Sequence, residues 1–154
     1  IGGVDKHMLL NWLQWAEAEL PVPGLRQVNS LQPTAELRPL EQKQTDEEDL
    51  MPYPLLDALE RLAWAQRLGP AEIFDELRAQ PELAFTEAQL LQAIQRFFRL
   101  WARNQWKRER YAPAFHVDRH SLDPRGWLRF PILSGGYQAE LADLEAYVQA
   151  QVSS

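Results

Sequence analysis

Apolar residues recur at steps of three and four along most of the chain, so the pattern is that of a helical protein. Leu9, Trp12, Leu13, Ala16 and Leu20 predict a first helix, with Asp5 placed to cap it, Pro21 to end it and its Trp residues in the core. Residues 24–29, "GLRQVN", alternate weakly and are expected to form one short strand. Residues 34–52 carry little apolar periodicity and form a loop longer than the usual helix connection of about 2–8 residues, which marks it as a segment that acts on something. Pro54 then opens a helix bearing Leu55, Leu56, Leu59, Leu62, Ala63 and Gln66, which the turn at Gly69 and Pro70 closes. A short helix over 71–79 follows.

The clearest pattern begins at Thr86, which pairs with Gln89 as a capping box for a long helix running to about Arg108. One side carries Leu90, Ile94, Phe97, Trp101 and Gln105, flanked by Leu91 and Phe98, and is expected in the core. On the opposite side Arg96, Arg99, Arg103, Lys107 and Arg110 form a cationic stripe. It reads either as a solvated helix back or as an anion surface, with Lys107 and Arg108 free at the helix end to meet phosphate. A loop rich in Pro and Gly and a last helix over 138–149 complete the chain.

Composition narrows the possibilities. The 154 residues are 45% apolar, enough for one domain with a core. A net charge of -6 argues against a surface built throughout for nucleic acid, while leaving a local basic stripe able to bind phosphates. The chain has no cysteine, which removes thiol nucleophiles and cysteine metal sites and fits a reducing cytoplasm. No apolar run reaches membrane-spanning length. The first residues lack both a signal-peptide layout and an initiator methionine, so the chain is expected to begin inside something larger.

Three local groupings bear on chemistry. Thr45 and Glu48 match a capping box, and Asp46, Glu47 and Asp49 beside them either favour a helical turn or sit in a loop where acids hold magnesium or order a lid. His116 and His120, four apart with Asp118 between, lack a further metal-ligand partner at useful spacing. Ser134, Gly135 and Gly136 resemble the start of a pyrophosphatase-type ATP loop, but Gln138 and Ala139 stand where that motif has Asp and its second Ser, so a turn is expected. There is no P-loop, nucleophile elbow or dinucleotide fingerprint.

Read together and in order, "IGGVDK", "PTAELRP", "QTDEEDLMPYPLLDAL" and "RFFRLWARNQWKRERYAPAFH" resemble the C-terminal part of the synthetase domain of the large glutamine-dependent NAD(+) synthetases. The resemblance covers nearly the whole chain. It implies a fragment that is mainly α with one or two short strands, the C-terminal portion of an α/β, Rossmann-like synthetase domain of the adenine-nucleotide α-hydrolase type. The glutaminase domain and ATP loop would lie upstream. In that family a nitrilase-like glutaminase releases ammonia, and the synthetase domain adenylates deamido-NAD with ATP and magnesium before ammonia displaces AMP to give NAD.

By the same resemblance, residues 1–154 belong to the synthetase domain, and Lys6 and Thr34 are expected to contact ATP. Lys107, with Trp106 beside it, is expected at deamido-NAD; stand-alone bacterial relatives have His-Lys there, so Trp106 departs from their pattern. Residues 34–52 become a substrate loop closing over ATP, with Glu36, Asp46, Glu47, Glu48 and Asp49 as candidate contacts. Closure would exclude water that otherwise hydrolyses the adenylate. The resemblance also implies a homo-oligomer, a cytoplasmic setting, an isolated fragment without activity, and exposed apolar surface where further structure packs. The rival reading from another class is a helical interaction or nucleic-acid-binding module using the stripe from Arg96 to Arg110, which predicts steeply salt-dependent binding of RNA or DNA.

Overall fold

The structure, a computed structural model, describes residues 2–31, 50–110, 112–117 and 121–152. It is built of helices: α1 (Lys6–Glu19), α2 (Leu25–Asn29), α3 (Tyr53–Glu60), α4 (Pro70–Arg78), α5 (Glu87–Arg103), α6 (Gln105–Arg108) and α7 (Gln138–Val152). Among the described residues there is no β-strand, so the expected one or two strands are not found. One isolated parallel bridge joins Gly2 to His116, with Gly2 N–H donating to the Phe115 carbonyl at 2.7 Å and Val117 N–H to that of Gly2 at 3.3 Å.

Residues 24–29 are a correction of a different kind, since the expected strand is helix α2. Gly24 adopts a left-handed φ of 92° and turns the chain, after which four residues suffice to close the first helical bonds. Weak alternation over six residues does not outweigh a hydrogen-bonded turn. The first helix begins where expected, with Asp5 at the N-cap position, although its side chain makes no capping bond. Its tryptophans are not core: Trp12 and Trp15 are 51% and 53% exposed, and Ala16 is the buried residue of α1. Periodicity identifies a face that suits burial, and among the described residues α1 packs mainly on α2 and α3. The expected exposed apolar surface is therefore present, on α1.

Pro54 sits in the first turn of α3, where its missing N–H has no helical carbonyl to meet. The helix passes into a wider π turn, Arg61–Ala65, marked by Gln66 N–H donating to the Arg61 carbonyl at 3.0 Å, and Arg67 then takes a positive φ of 62°. Gly69 and Pro70 start α4, where Glu72 reaches back to accept from Gly69 N–H at 2.8 Å. The Thr86 box at the head of α5 forms as expected: Gln89 N–H donates to Thr86 Oγ1 at 3.3 Å, and Thr86 N–H to Gln89 Oε1 at 2.9 Å. The long helix stops at Arg103 rather than Arg108. Asn104 leaves helical geometry, and a short helix α6 follows at once. That interruption falls between Arg103 and Lys107 of the cationic stripe.

The core lies between α3, its π turn, α4, α5 and α7. Leu59, Ile73, Phe74, Ile94 and Leu144 are fully buried there, and the predicted inner side of α5 is the buried one. Trp64 of the π turn anchors an aromatic cluster, with ring centroids 5.6 Å from Phe97, 5.8 Å from Phe98 and 4.3 Å from Trp101. The last helix is pinned to α4 by Tyr147 Oη donating to Asp75 Oδ2 at 2.6 Å.

Candidate functional site

The start of α1 and the first two turns of α3 meet at a row of polar groups. Lys6 Nζ lies 5.6 Å from the centroid of the buried Tyr53 ring. One residue on, His7 Nδ1 is 2.9 Å from Asp57 Oδ2, tying the two helices together. Helical spacing puts Glu60 on the same side of α3 as Asp57. Glu60 is partly buried, and no hydrogen-bond donor among the described residues reaches its carboxyl. Burial, followed by the neighbouring Asp5 and Asp57, raises it from 4.5 to about 7.

Glu60 borders two hollows. One, of about 420 Å³, is walled by Asp5, His7, Asp57 and Trp64. The other, of about 260 Å³ and much more apolar, is walled by Met51, Trp101, Asn104 and Lys107. Each contains a tryptophan whose buried Nε1 has no hydrogen-bond acceptor among the described residues, Trp64 in the first and Trp101 in the second. The carboxyl thus stands on the partition between the α1 start and Lys107. The π turn begins at the very next residue, a widening that recurs at functional sites.

Lys107 is exposed, with its Nζ 5.7 Å from the centroid of the half-exposed Trp106 ring. Asn104, where α5 ends, and Lys107 both line the smaller hollow. Arg108, expected to reach for phosphate, is absorbed by the fold. Its Nη2 donates to the Leu122 and Leu128 carbonyls, each at 2.7 Å, and its Nη1 to Gln105 Oε1 at 2.6 Å. Its guanidinium also stacks 4.3 Å from the Trp101 ring centroid. Gln105 is buried and donates to the Trp101 carbonyl at 2.8 Å, so the two side chains brace α6 and with it Lys107. Lysine remains as the residue able to offer a mobile point charge to an anion.

Thr34, Glu36, Asp46, Glu47, Glu48 and Asp49 lie outside the described residues, as do Thr45, Asp118 and His120. His116 is engaged structurally, its Nε2 3.3 Å from Asp123 Oδ2. Arg125 grips the same buried carboxylate at 2.6 Å, and its hydrogen bonds hold Asp123 well below the usual carboxylate range. Among the described residues no three His, Cys, Asp or Glu side chains could hold a metal ion, and no helix is long and apolar enough to cross a membrane. The expected turn ahead of α7 is found at Gly136 and Tyr137, with Ser134 and Gly135 in irregular backbone before it.

Glu60 escapes sequence reading because a lone Glu on a helix normally marks the solvent side. Its one local clue is its i, i+3 relation to Asp57, which places two acids on one side of an otherwise apolar helix.

The shift at Glu60 has a measurable consequence. Its pKa is higher folded than unfolded, so between about 4.5 and 7 the native state holds the extra proton, and the stability this contributes is lost as pH rises through that window. Glu60→Gln should therefore match the parent near pH 4.5 and be more stable by about 1 to 2 kcal/mol at pH 8, a figure discounted for the group's contact with water. Urea unfolding at the two pH values checks it; an unchanged difference would trace the shift to another group.

No family model matches the chain. Curated relatives do. It is 32% identical over 127 residues to the glutamine-dependent NAD(+) synthetase of Mus musculus, covering 80% of this chain and 18% of that protein. With the enzyme of the same name from Saccharomyces cerevisiae it shares 30% identity over 158 residues, covering 96% of this chain and 22% of the relative. The crystal structure of a glutamine-dependent NAD(+) synthetase from Cytophaga hutchinsonii superposes with a TM-score of 0.74 at 42% identity, covering 93% of this chain and 21% of that one. The chain spans about a fifth of the length of the relatives it matches. Sequence and backbone agree that this chain is homologous to one segment of the glutamine-dependent NAD(+) synthetases and belongs to their family.

Proposed function

We propose that the chain is the substrate-facing portion of a synthetase domain that adenylates deamido-NAD with magnesium-bound ATP and amidates it with glutamine-derived ammonia, giving NAD, AMP and pyrophosphate. The observation that carries this reading is the pair of hollows meeting at Glu60, with the Lys6 helix start beside one and Lys107 beside the other. Lys6 would meet ATP phosphates. Lys107, braced by Arg108 and Gln105, would meet a phosphate or carboxylate of deamido-NAD, with Trp106 offering a ring at the rim. In the apolar smaller hollow a cation attracts an anion more strongly than in open water. Thr34, Glu36 and the acids Asp46 to Asp49 would close over the nucleotide from the adjoining loop, Thr34 at ATP itself.

The apolar side of α1 fits the same reading. Met8, Leu9, Trp12 and Trp15 are exposed, and in a polypeptide of the relatives' length further structure, whether the remaining domain or a second subunit, would cover them. A Rossmann-like sheet would take up the lone bridge at Gly2, because parallel strands need neighbours and buried faces. A cytoplasmic setting accords with the cysteine-free composition.

The test is formation of NAD from deamido-NAD, magnesium-bound ATP and ammonia. A polypeptide of the relatives' length that includes this segment is expected to form NAD, and the 154-residue chain alone to form none. Synthesis by the chain alone would overturn the division of labour, and its absence from the longer polypeptide would overturn the function.

A further inference from the structure

Two motifs that the proposed reaction leaves aside meet in the folded chain. Arg99 and Arg103, one helical turn apart on α5, line a cleft of about 680 Å³ whose opposite wall is Ser134, Gly135 and Gly136. Both arginines are exposed, and neither has a hydrogen-bond or ion-pair partner among the described residues. Arg78 is by contrast engaged by Asp75 and Glu87, and Arg125 by Asp123. Across the cleft a Cβ built on Gly135 or Gly136 would meet nothing within 4 Å, so the backbone of that segment lies open. Its Gly135 and Gly136 N–H groups donate to no acceptor among the described residues. The one carboxylate in the wall, Glu145, is bonded by Gln95 Nε2 at 2.5 Å.

We propose that this cleft binds a short polyphosphate, with Arg99 and Arg103 each taking one phosphoryl group and the Gly135 and Gly136 N–H groups closing the other side. Residues four apart on a helix hold their Cβ atoms about 5–6 Å apart, so two linked phosphoryl groups engage both guanidiniums bidentately where a single phosphate engages one well. Glu140 and Asp143 on the adjoining α7, outside the cleft lining, would repel a nucleic-acid backbone running beyond it, in keeping with the net charge of -6. The residues lining this cleft are distinct from those around the hollow that Lys107 borders, so its occupancy can be tested apart from the proposed reaction.

Isothermal titration of the 154-residue chain with pyrophosphate, ATP, inorganic phosphate and a single-stranded RNA tests it. Pyrophosphate should bind saturably at one site and more tightly than inorganic phosphate, and the Arg99→Ala/Arg103→Ala double variant should weaken it by about tenfold or more. Arg26→Ala, on exposed α2, should leave it unchanged. ATP binding as well as pyrophosphate would identify the phosphate chain of a nucleotide as the ligand, and pyrophosphate binding alone the free anion. A second readout needs no variant: adding pyrophosphate to the parent should shift the amide resonances of Ser134, Gly135 and Gly136. Unsaturable binding, equal affinity in the double variant, shifts confined to other residues, or RNA binding without pyrophosphate binding would each overturn the site.

Discussion

Phe98→Ala is expected to lower the unfolding free energy by about 3–5 kcal/mol, the range for removing a buried aromatic side chain from a packed core. Phe98 is 2% exposed at the middle of α5, and its ring stands edge-on to Trp64 at 5.8 Å and to Phe97 at 5.3 Å, with Tyr137 4.8 Å away. Those contacts join three elements: the π turn after α3, α5 itself, and the residue ahead of α7. Truncation removes the transfer free energy of the ring and leaves a void that three rigid aromatic neighbours cannot collapse to fill. Trp12→Ala provides the contrast. Its ring is half exposed on α1, so the loss should stay within about 0.5 kcal/mol in this chain, as for other surface positions. Urea unfolding followed by far-UV circular dichroism measures both. A Phe98→Ala loss no larger than that of Trp12→Ala would mean that the aromatic cluster does not hold these elements together.

Lys107→Ala, made in a polypeptide that carries out the proposed synthesis, is expected to cut kcat/KM for deamido-NAD roughly 10- to 150-fold. That corresponds to about 1.5–3 kcal/mol for a hydrogen bond to a charged group, read as lost transition-state stabilisation. The effect should fall on deamido-NAD and spare ATP, because the α1 start and Lys107 stand beside different hollows divided by Glu60. Lysine is held there by its neighbours rather than by a partner of its own, since Gln105 and Arg108 fasten α6 through the Trp101, Leu122 and Leu128 carbonyls. Arg26→Ala removes an exposed cation elsewhere and should change kcat/KM by less than about twofold. Equal losses at the two positions would reassign the effect to the general field of the protein, and no loss at Lys107 would remove it from the site.

Local chemistry was enough to place most of the helices. The Thr86 and Gln89 box, Pro54 in a first turn and the Gly69 and Pro70 punctuation act within four residues of themselves, so their meaning survives whatever the rest of the chain does. The inner side of α5 was equally legible, because Leu90, Ile94, Phe97 and Phe98 repeat with the helix and all are buried. Ordered motifs also carried the family, which the relatives and the backbone superposition bear out.

Tertiary structure decided the rest. Whether an apolar helix side finds a cover depends on its neighbours, and α1 keeps Trp12 and Trp15 exposed despite good periodicity. Asn104 ends α5 early while the buried Gln105 and the Arg108 carbonyl contacts hold α6, bonds that reach across 14 and 20 residues to Leu122 and Leu128 and so have no local signature. Glu60 has a raised pKa because the fold partly buries it and brings Asp5, from the head of α1, near enough to act on it beside Asp57. Arg99 and Arg103 meet the Ser134 segment only once α7 packs on α5. Periodicity is a property of one helix, whereas burial, charge pairing and clefts belong to pairs of elements, and a linear sequence does not say which pairs will meet.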